Sequence, residues 1–591
     1  MDTSLEVKSV AVREQKTRSA WGAWVPLLGI WLIGLVVRLM LTQGQRVVWG
    51  DEPFYLWLGR NWITGQGFTF TGHADVHHGP LFPMAAGLLY LLTGDMILSS
   101  DILYIVFGSL LVLPVYGLGC ELYERRVALA AAGLTAVFPA LGAAILYWGT
   151  LTEPLYMFFV YSGLWAGAVA LRPIWRTKAG EAAKGWSAGP WWAYLLAGLA
   201  FGLAYLTRPE AIGYFAVAGV VFVLFRLLRR TLPHRWRVSF FAKLLLFVLA
   251  FALAFVPYAY YVYLNTGSWM VSEKVGVTYL TCIGMVSGDV TAFDKATWGL
   301  DSTGLETFFF SPESYNISML QLVLDDPQTF LNVLYMNARN FVQLLIDPTL
   351  FPYALLVIVF LGLFRQAWTR SRTFKELYLV SSFAPVAAFI LIFVQARYLV
   401  AMIPVMILWL ACGLVTFSDW LIDTVERLRE SDGAEGEGAS QPPRQLAAHW
   451  RTVLNVLPAL LVMLGLAAMQ PVVVHQMTNV GWMRIEHRLV GEYLQPTVSR
   501  DTVIMARYPA IAFHADTQWV PTPSASWAET LRYARHKGVD YFVLDEREVD
   551  IRPQFLDMVS GQNVPPELEL FYQIDSGGAR MLVYRLREAQ G

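Results

Sequence analysis

The chain has 591 residues, of which 56% are hydrophobic and only 15% charged, and its formal net charge is −1. Soluble domains carry roughly 25% charged residues, so this composition excludes a water-soluble globular protein; a net charge so near zero also excludes the basic footprint of a nucleic-acid binder. The three cysteines, Cys120, Cys282 and Cys412, are too scattered to indicate a disulfide or zinc framework.

Residues 1–20 form a polar tail with Lys8, Arg13, Lys16 and Arg18. The apolar run after Trp21 outlasts a signal peptide and lacks a small-residue cleavage site, so it reads as a retained first span at 22–42. The long loop 43–101 opens on Trp49-Gly-Asp51-Glu52-Pro53-Phe54-Tyr55. Phe54, Trp57, Leu58 and Trp62 recur at helical spacing, which predicts a helix over 54–63 lying along the membrane interface. His73, Asp75, His77, His78, Gly79 and Pro80 follow. Further apolar runs predict spans at 102–120, 127–146, 152–171, 192–206, 211–225 and 244–264. Their turns carry Leu151-Thr152-Glu153-Pro154 and Thr207-Arg208-Pro209-Glu210 on one side and the basic stretch 226–243 on the other. A second long loop, 265–348, precedes spans at 349–364, 377–394 and 398–418, the last two joined by Gln395-Ala-Arg397-Tyr398. Residues 419–451 include a Gly, Glu, Ser and Pro-rich run at 431–443, too polar to bury anything, which predicts a flexible linker before an eleventh span at 452–470.

The tail, 471–591, reads as a small α/β domain. Thr502–Ala506, Tyr541–Leu544 and Met581–Leu586 are β-rich runs. Between the first two, Ser526-Trp-Ala-Glu529 has the pattern of a capping box that opens a helix closed by Gly538. Strand, helix, strand predicts a parallel pair with a crossover, in a domain that serves as a lid or stabiliser.

Charge orients the bundle. With the N-terminus inside, the cytoplasmic pieces hold twenty-four Lys and Arg, while the opposite loops of the membrane domain hold seven: Arg46, Arg60, Arg208, Lys274, Lys295, Arg339 and Arg397. Basic residues favour the cytoplasmic side of short loops. The expectation is a multi-pass protein of the plasma or inner membrane: a cytoplasmic tail (1–20), an all-α transmembrane domain (21–418), a cytoplasmic linker (419–451), a last span (452–470) and an extracytoplasmic α/β domain (471–591).

The ionisable residues avoid the span interiors and gather in the outer turns. Singly, each has an ordinary explanation. Asp51 before Glu52-Pro53 suits a helix start, histidines in a wet loop are usually surface groups, and Arg208 or Arg397 at a span end can anchor to headgroups. Jointly, four turns far apart in sequence deliver acid, base and imidazole to one face, as an active site at the membrane edge requires. Carriers place their polar groups near the midplane instead, and a lipid or solute transporter with an outer accessory domain is the alternative reading.

At these residues the chain resembles the GT-C glycosyltransferases, the group that contains the bacterial protein O-mannosyltransferases and the lipid A aminoarabinose transferases. Asp51-Glu52-Pro53-Phe54-Tyr55 is similar to the family's early Asp-Glu pair and Tyr, and His78-Gly79-Pro80-Leu81 to its Lys-Pro-Pro-Leu turn. Glu153-Pro154, Arg208-Pro209-Glu210 and Arg397-Tyr398-Leu399 with Pro404 are similar to later family patterns, in the same order. His78 stands where the family has its phosphate-holding lysine, and His77 where the aminoarabinose branch has an acid.

The resemblance implies a membrane enzyme that takes a sugar from a polyprenyl-phosphate donor to a hydroxyl of a protein, lipid or glycan. The sequence agrees on one point independently: the polar face looks into a compartment without nucleotide sugars, so an activated donor has to arrive on lipid. The expected roles are Asp51 as base, with Glu52 and Glu153 orienting the acceptor. Arg208, Arg397 and His78 face the phosphate, and Tyr55, His77, Glu210 and Tyr398 line the site. No cofactor is certain from the sequence, and a divalent metal ion is the one candidate. Glu52 and His77 are the candidates for a divalent ion, though no ligand spacing establishes one.

Overall fold

The structure, a computed structural model, describes residues 24–44, 46–176, 189–228, 234–271, 274–286, 288, 290–434, 446–479, 484–576 and 579–587. The polar tail 1–20 lies outside them. The chain opens on α1 (Trp24–Leu41) and enters a loop holding α2 (Glu52–Ile63), the antiparallel pair β1 (Thr69–Phe70) and β2 (His73–Ala74), and α3 (Leu81–Thr93). It continues through α4 (Met96–Leu122), α5 (Arg125–Val137), α6 (Pro139–Leu146), α7 (Glu153–Trp175), α8 (Trp191–Thr207), α9 (Ala211–Leu227) and α10 (Val238–Thr266). The second long loop carries α11 (Lys274–Val286), α12 (Val290–Trp298) and α13 (Pro327–Leu345). The helical part ends with α14 (Tyr353–Phe364), α15 (Arg370–Leu391), α16 (Ala396–Arg429) and α17 (Ala448–Thr478).

Among the described residues, α1, α4, α7, α10, α15, α16 and α17 are long and apolar enough to cross a membrane, and α5 with α6 makes an eighth, bent by 62°. The shorter apolar helices α8, α9 and α14 occupy the remaining predicted spans, so each of the eleven falls on a helix. The apolar stretch of α16 is 94% buried and forms the centre of the bundle, whereas those of α1 and α17 are only 17% and 11% buried and lie at its periphery. The expected linker is helical at both ends: the helix of α16 runs on to Ala434 because Leu421, Ile422, Val425 and Leu428 keep its apolar spacing, and 435–445 lie outside the described residues.

The bend between α5 and α6 follows from Pro139, which cannot donate to the preceding turn and ends the helix. Side chains from two neighbouring spans satisfy the carbonyls this leaves. Arg38 of α1 donates to the Ala136 and Leu141 carbonyls at 3.2 and 2.9 Å. Gln470 of α17 donates to the Val137 carbonyl at 2.8 Å and accepts from the Ala143 amide at 3.0 Å. The buried Arg38 is therefore a clamp on the backbone.

The C-terminal domain contains α18 (Ile485–Leu494), β3 (Val503–Ala506), α19 (Ala510–His514), β4 (Gln518–Pro521), α20 (Trp527–His536), β5 (Tyr541–Asp545), β6 (Leu568–Ser576) and β7 (Ala579–Leu586). Its sheet has the order β4-β3-β5-β7-β6. β4, β3 and β5 run parallel, and β7 is antiparallel to β5 and β6. The expected parallel pairing of β3 with β5 and the Ser526–Glu529 capping box are both present. β4 and β6 are the two edges. The first is four residues ending in Pro521 and the second mixes exposed and half-buried residues, so neither shows the long apolar run of an inner strand.

This domain covers one end of the bundle, and there the structure corrects an expectation. Instead of lying on the lipid interface, α2 is buried between α3 and the domain. Phe54 meets Trp519 and Trp57 meets Phe513, each with ring centroids 5.4 Å apart. On its other side Gly59 lets α2 touch α3, since a Cβ there would lie 2.3 Å from the Pro83 carbonyl oxygen. The apolar surface of the domain does for α2 what lipid would otherwise do.

Candidate active site

Four turns meet beneath the C-terminal domain, and glycines set how closely they approach. Gly50 and Gly149 have φ of +65° and +74°, and a Cβ on Gly50 would come within 2.9 Å of the Gly149 carbonyl oxygen. That carbonyl accepts from the Glu52 amide at 2.9 Å, which locks the Asp51 turn onto the Glu153 turn, backbone to backbone. A Cβ on Gly79 would sit 2.6 Å from the carbonyl oxygens of Leu206 and Thr207, so the His78-Gly79-Pro80 turn lies flush against the end of α8, where Arg208 follows.

Asp51 stands at the start of α2 but makes no side-chain capping hydrogen bond, because its own φ and ψ, −83° and −11°, are already helical. Its carboxylate is 36% exposed and lies 3.4 Å from Nη1 of Arg397. Burial would raise its pKa, but Arg397 first, with Lys274 and Arg208 behind it, outweighs burial and holds it below the usual carboxylate range. The group is thus an ionised, accessible proton acceptor at neutral pH.

Beside it, Arg208 donates to Glu153 at 2.7 Å and to Thr152 at 3.3 Å, and also pairs with Glu210. Glu153 takes the Thr150 hydroxyl on both oxygens, at 2.6 and 2.7 Å. The ring of Tyr398 lies 5.5 Å from the guanidinium of Arg208 and 5.3 Å from that of Arg397, and stacks on Phe389. Glu153, Arg208, Glu210, Arg397 and Tyr398, with Tyr156, Tyr214 and Phe389, line one narrow cavity.

His78 faces the same place. Its Nδ1 is 3.0 Å from Asp75, whose Oδ1 also accepts the amides of His77 and His78 at 3.1 and 2.9 Å. Burial and the Lys274 charge push the imidazole below its ordinary pKa despite Asp75, so the neutral ring donates Nδ1–H to the carboxylate. Tyr55 packs edge-on against His78 at 4.9 Å, and burial keeps its phenol protonated.

Two expected site residues are employed elsewhere. Glu52 is 1% exposed, and both of its oxygens take Nη1 of Arg46 at 2.8 Å, with Arg46 also paired to Asp101 at 2.7 Å. Consecutive helical residues diverge by about 100°, so Glu52 points away from Asp51. His77 stacks on Phe309 with centroids 4.4 Å apart. Neither Glu52 nor His77 belongs to a group of three or more ligand-type side chains with metal spacing among the described residues. Among the described residues the triad with ligand spacing is His487, Asp545 and Glu548, in the C-terminal domain. There Asp545 already accepts from Arg484 at 2.7 Å and contacts His487 at 3.2 Å.

One residue at the site stood in the sequence only as one of seven outer-side cations. Lys274, the first residue of α11, acts electrostatically on both Asp51 and His78. No local pattern marks it, because the loop that carries it is brought in by tertiary contacts.

No protein-family model and no curated protein matches the sequence. Solved structures do match. The Archaeoglobus fulgidus oligosaccharyltransferase in complex with Zn and sulfate superposes with a TM-score of 0.54 at 14% identity, over 95% of this chain and 73% of that one. ArnT from Cupriavidus metallidurans in the apo state gives 0.53 at 13% identity, over 96% of this chain and 98% of that one. The chain has the GT-C fold. AglB from Archaeoglobus fulgidus, solved with an inhibitory peptide and a dolichol-phosphate, shares this GT-C architecture at a TM-score of 0.50 and 16% identity, over 94% of this chain and 74% of that one. At such identities the likeness is one of fold, a multi-helix membrane part with a further domain over one end.

Proposed function

We propose that the protein is a membrane glycosyltransferase that moves a sugar from a polyprenyl-phosphate carrier to an acceptor hydroxyl on the extracytoplasmic side. The observation that carries this reading is Asp51, a carboxylate at a helix start that caps nothing, stays ionised and lies 3.4 Å from Arg397, which lines one cavity with Arg208. The dolichol-phosphate in the AglB complex supports the class of donor, and the asymmetry of Lys and Arg supports the side.

In this reading the acceptor oxygen attacks the sugar's anomeric carbon while its proton passes to Asp51. The bond from that carbon to the phosphate oxygen breaks, and the carrier leaves as polyprenyl monophosphate. Arg208 and Arg397 stabilise the charge that grows on the phosphate, Arg being matched to its oxygens. Glu153 and Glu210 hold Arg208 in place, Tyr398 separates the two guanidiniums, and Tyr55 braces His78. Glu52 acts at a distance, fixing the start of α2 through Arg46.

The test is Asp51→Asn in the full-length purified protein, supplied with radiolabelled polyprenyl-phosphate sugars in detergent. Label should leave the lipid with the wild type and fall at least about 10²-fold with the variant, the usual contribution of a general base, at unchanged thermal stability. Full activity in the variant would remove Asp51 from the chemistry and the proposal with it.

A further inference from the structure

We infer that the end of the bundle away from the C-terminal domain holds the headgroup of an anionic phospholipid, in a cavity walled by Arg365, Arg372 and Lys375, with its acyl chains laid along α14. The inference stands independently of the transferase reading above.

α4, α5, α14, α15 and α16 border a cavity of about 470 Å³ there, within the range of a small-ligand site. Its lining follows α16 from Cys412 to Asp419, whereas Arg397 and Tyr398 of the candidate active site stand at the start of the same helix. At about 1.5 Å per residue, Tyr398 and Asp419 are about 30 Å apart, the thickness of a hydrocarbon core, so the cavity lies at the opposite membrane interface. Aromatic side chains mark that level. The Trp368 indole donates to the Leu363 carbonyl at 2.9 Å, and its ring stacks on Phe364, which stacks on Phe360. On α16, Trp420 stacks on Phe417. All five rings are exposed, and tryptophan at the ends of spans settles among lipid headgroups. With Val357 and Leu361, the phenylalanines of α14 make an exposed apolar face that leads to Arg365 on the cavity wall.

The cations of the wall are placed by the fold. Arg372, in the first turn of α15, donates to the Gly362 and Leu363 carbonyls at 2.8 and 3.0 Å, which closes the end of α14, and lies 3.4 Å from the fully buried Glu376. Glu376 also accepts the Tyr123 hydroxyl and the Trp409 indole N–H, each at 2.8 Å, so its charge is shared among three donors. The contacts of Arg365 among the described residues are long, 3.5 Å to the Thr416 carbonyl and 3.9 Å to Asp419, and Asp419 is already held by Arg126 at 2.8 Å. Three cations thus face two lining acids, Glu124 and Asp419, with Arg126 behind the second. Two guanidiniums and an ammonium beside the first turn of a helix suit a phosphate. The adjoining apolar face suits the chains that a phospholipid carries and a soluble phosphate lacks.

Native mass spectrometry of the full-length protein in detergent, with phosphatidylglycerol or phosphatidylcholine added, tests this. The wild type should prefer phosphatidylglycerol by at least about 10-fold. Arg365→Gln, at a side chain 36% exposed, should lower that affinity by about 10-fold, and Arg365→Gln with Lys375→Gln by about 100-fold. Phosphatidylcholine binding and the melting temperature without added lipid should stay unchanged in the single variant. Arg427→Gln, at an exposed cation further along α16, should have no effect. Equal phosphatidylglycerol binding by the wild type and the double variant would overturn the site. So would an equal loss in Arg427→Gln, which would reduce the preference to diffuse surface charge. Displacement of the bound lipid by millimolar glycerol 1-phosphate would overturn the lipid as occupant and assign the cavity to a soluble phosphate compound.

Discussion

Asp51 and Asp95 show how one residue type at similar positions comes to opposite uses. Asp95 precedes α4 in extended backbone, and its carboxylate accepts the Ile97 and Leu98 amides at 2.7 and 3.2 Å. Asp51 has helical dihedrals, so its carboxylate swings clear of the helix amides and meets Arg397. Because Arg397 is the largest charge holding Asp51 down, its loss should let the Asp51 pKa rise. A base must be deprotonated to act, so the acid limb of kcat/KM in Arg397→Gln should move to higher pH than in the wild type; an unmoved limb would assign it to another group. Asp75 gives a stability prediction of the same kind. Burial raises its pKa, but His78, His77 and the backbone amides outweigh burial and hold it at about 2, against an ordinary 3.8. Its stabilisation, roughly 2 kcal/mol, is present above pH ~4 and is lost as pH falls through about 2. Thermal melts should therefore place Asp75→Asn well below the wild type at pH 6 and close to it near pH 2.

The elements of the site are held by close backbone approaches that tolerate no side chain. Gly79 lies against two carbonyls at the end of α8, both of them backbone atoms that cannot turn aside. Gly79→Ala should push the histidine turn away from Arg208, lowering the melting temperature and the transfer rate together, whereas Gly65→Ala meets open space and should cost only the strain of its φ of +87°. The bent pair α5–α6 depends on Arg38 in the same way. Arg38→Met keeps the bulk but leaves the Ala136 and Leu141 carbonyls without donors, at about 1–3 kcal/mol for each buried group. Unfolding in denaturant should show that loss, and an unchanged midpoint would mean that water replaces the guanidinium.

At the scale of the molecule, the C-terminal domain is a roof fastened by charge as well as by aromatic packing. Asp294 on α12 holds Arg507 and Arg552 of the domain, each at 2.8 Å, with all three side chains at most 3% exposed. Removing the shared acid leaves two buried cations facing each other, a change that typically costs about 3–5 kcal/mol. Asp294→Asn should loosen the roof, and limited proteolysis should release the domain at lower protease concentration than in the wild type. Deleting the domain outright would expose Phe54, Trp57 and Phe70 to water, and the truncated protein should aggregate on size-exclusion chromatography.

The features that could be read before folding are those that sum over neighbours in the chain. Apolar runs such as 452–470 marked the spans, strand periodicity and the Ser526–Glu529 box marked the inner part of the domain, and the turns at Asp51, Glu153, Arg208 and Arg397 were visible as motifs. Each follows from residues a few positions apart, whose hydropathy or capping chemistry acts locally. Other features depend on contacts between residues tens to hundreds of positions apart. α2 looked like an interfacial helix because its aromatic face is the same whether lipid or Trp519 covers it. Asp51 and Glu52 are adjacent acids in sequence, and only the positions of Arg46 and Arg397 make one a clamp and the other an open base. Local composition sets which segments enter the membrane and which form helix or strand; the direction of a side chain and the charge it meets are properties of packing, and they emerge when distant turns are pressed together.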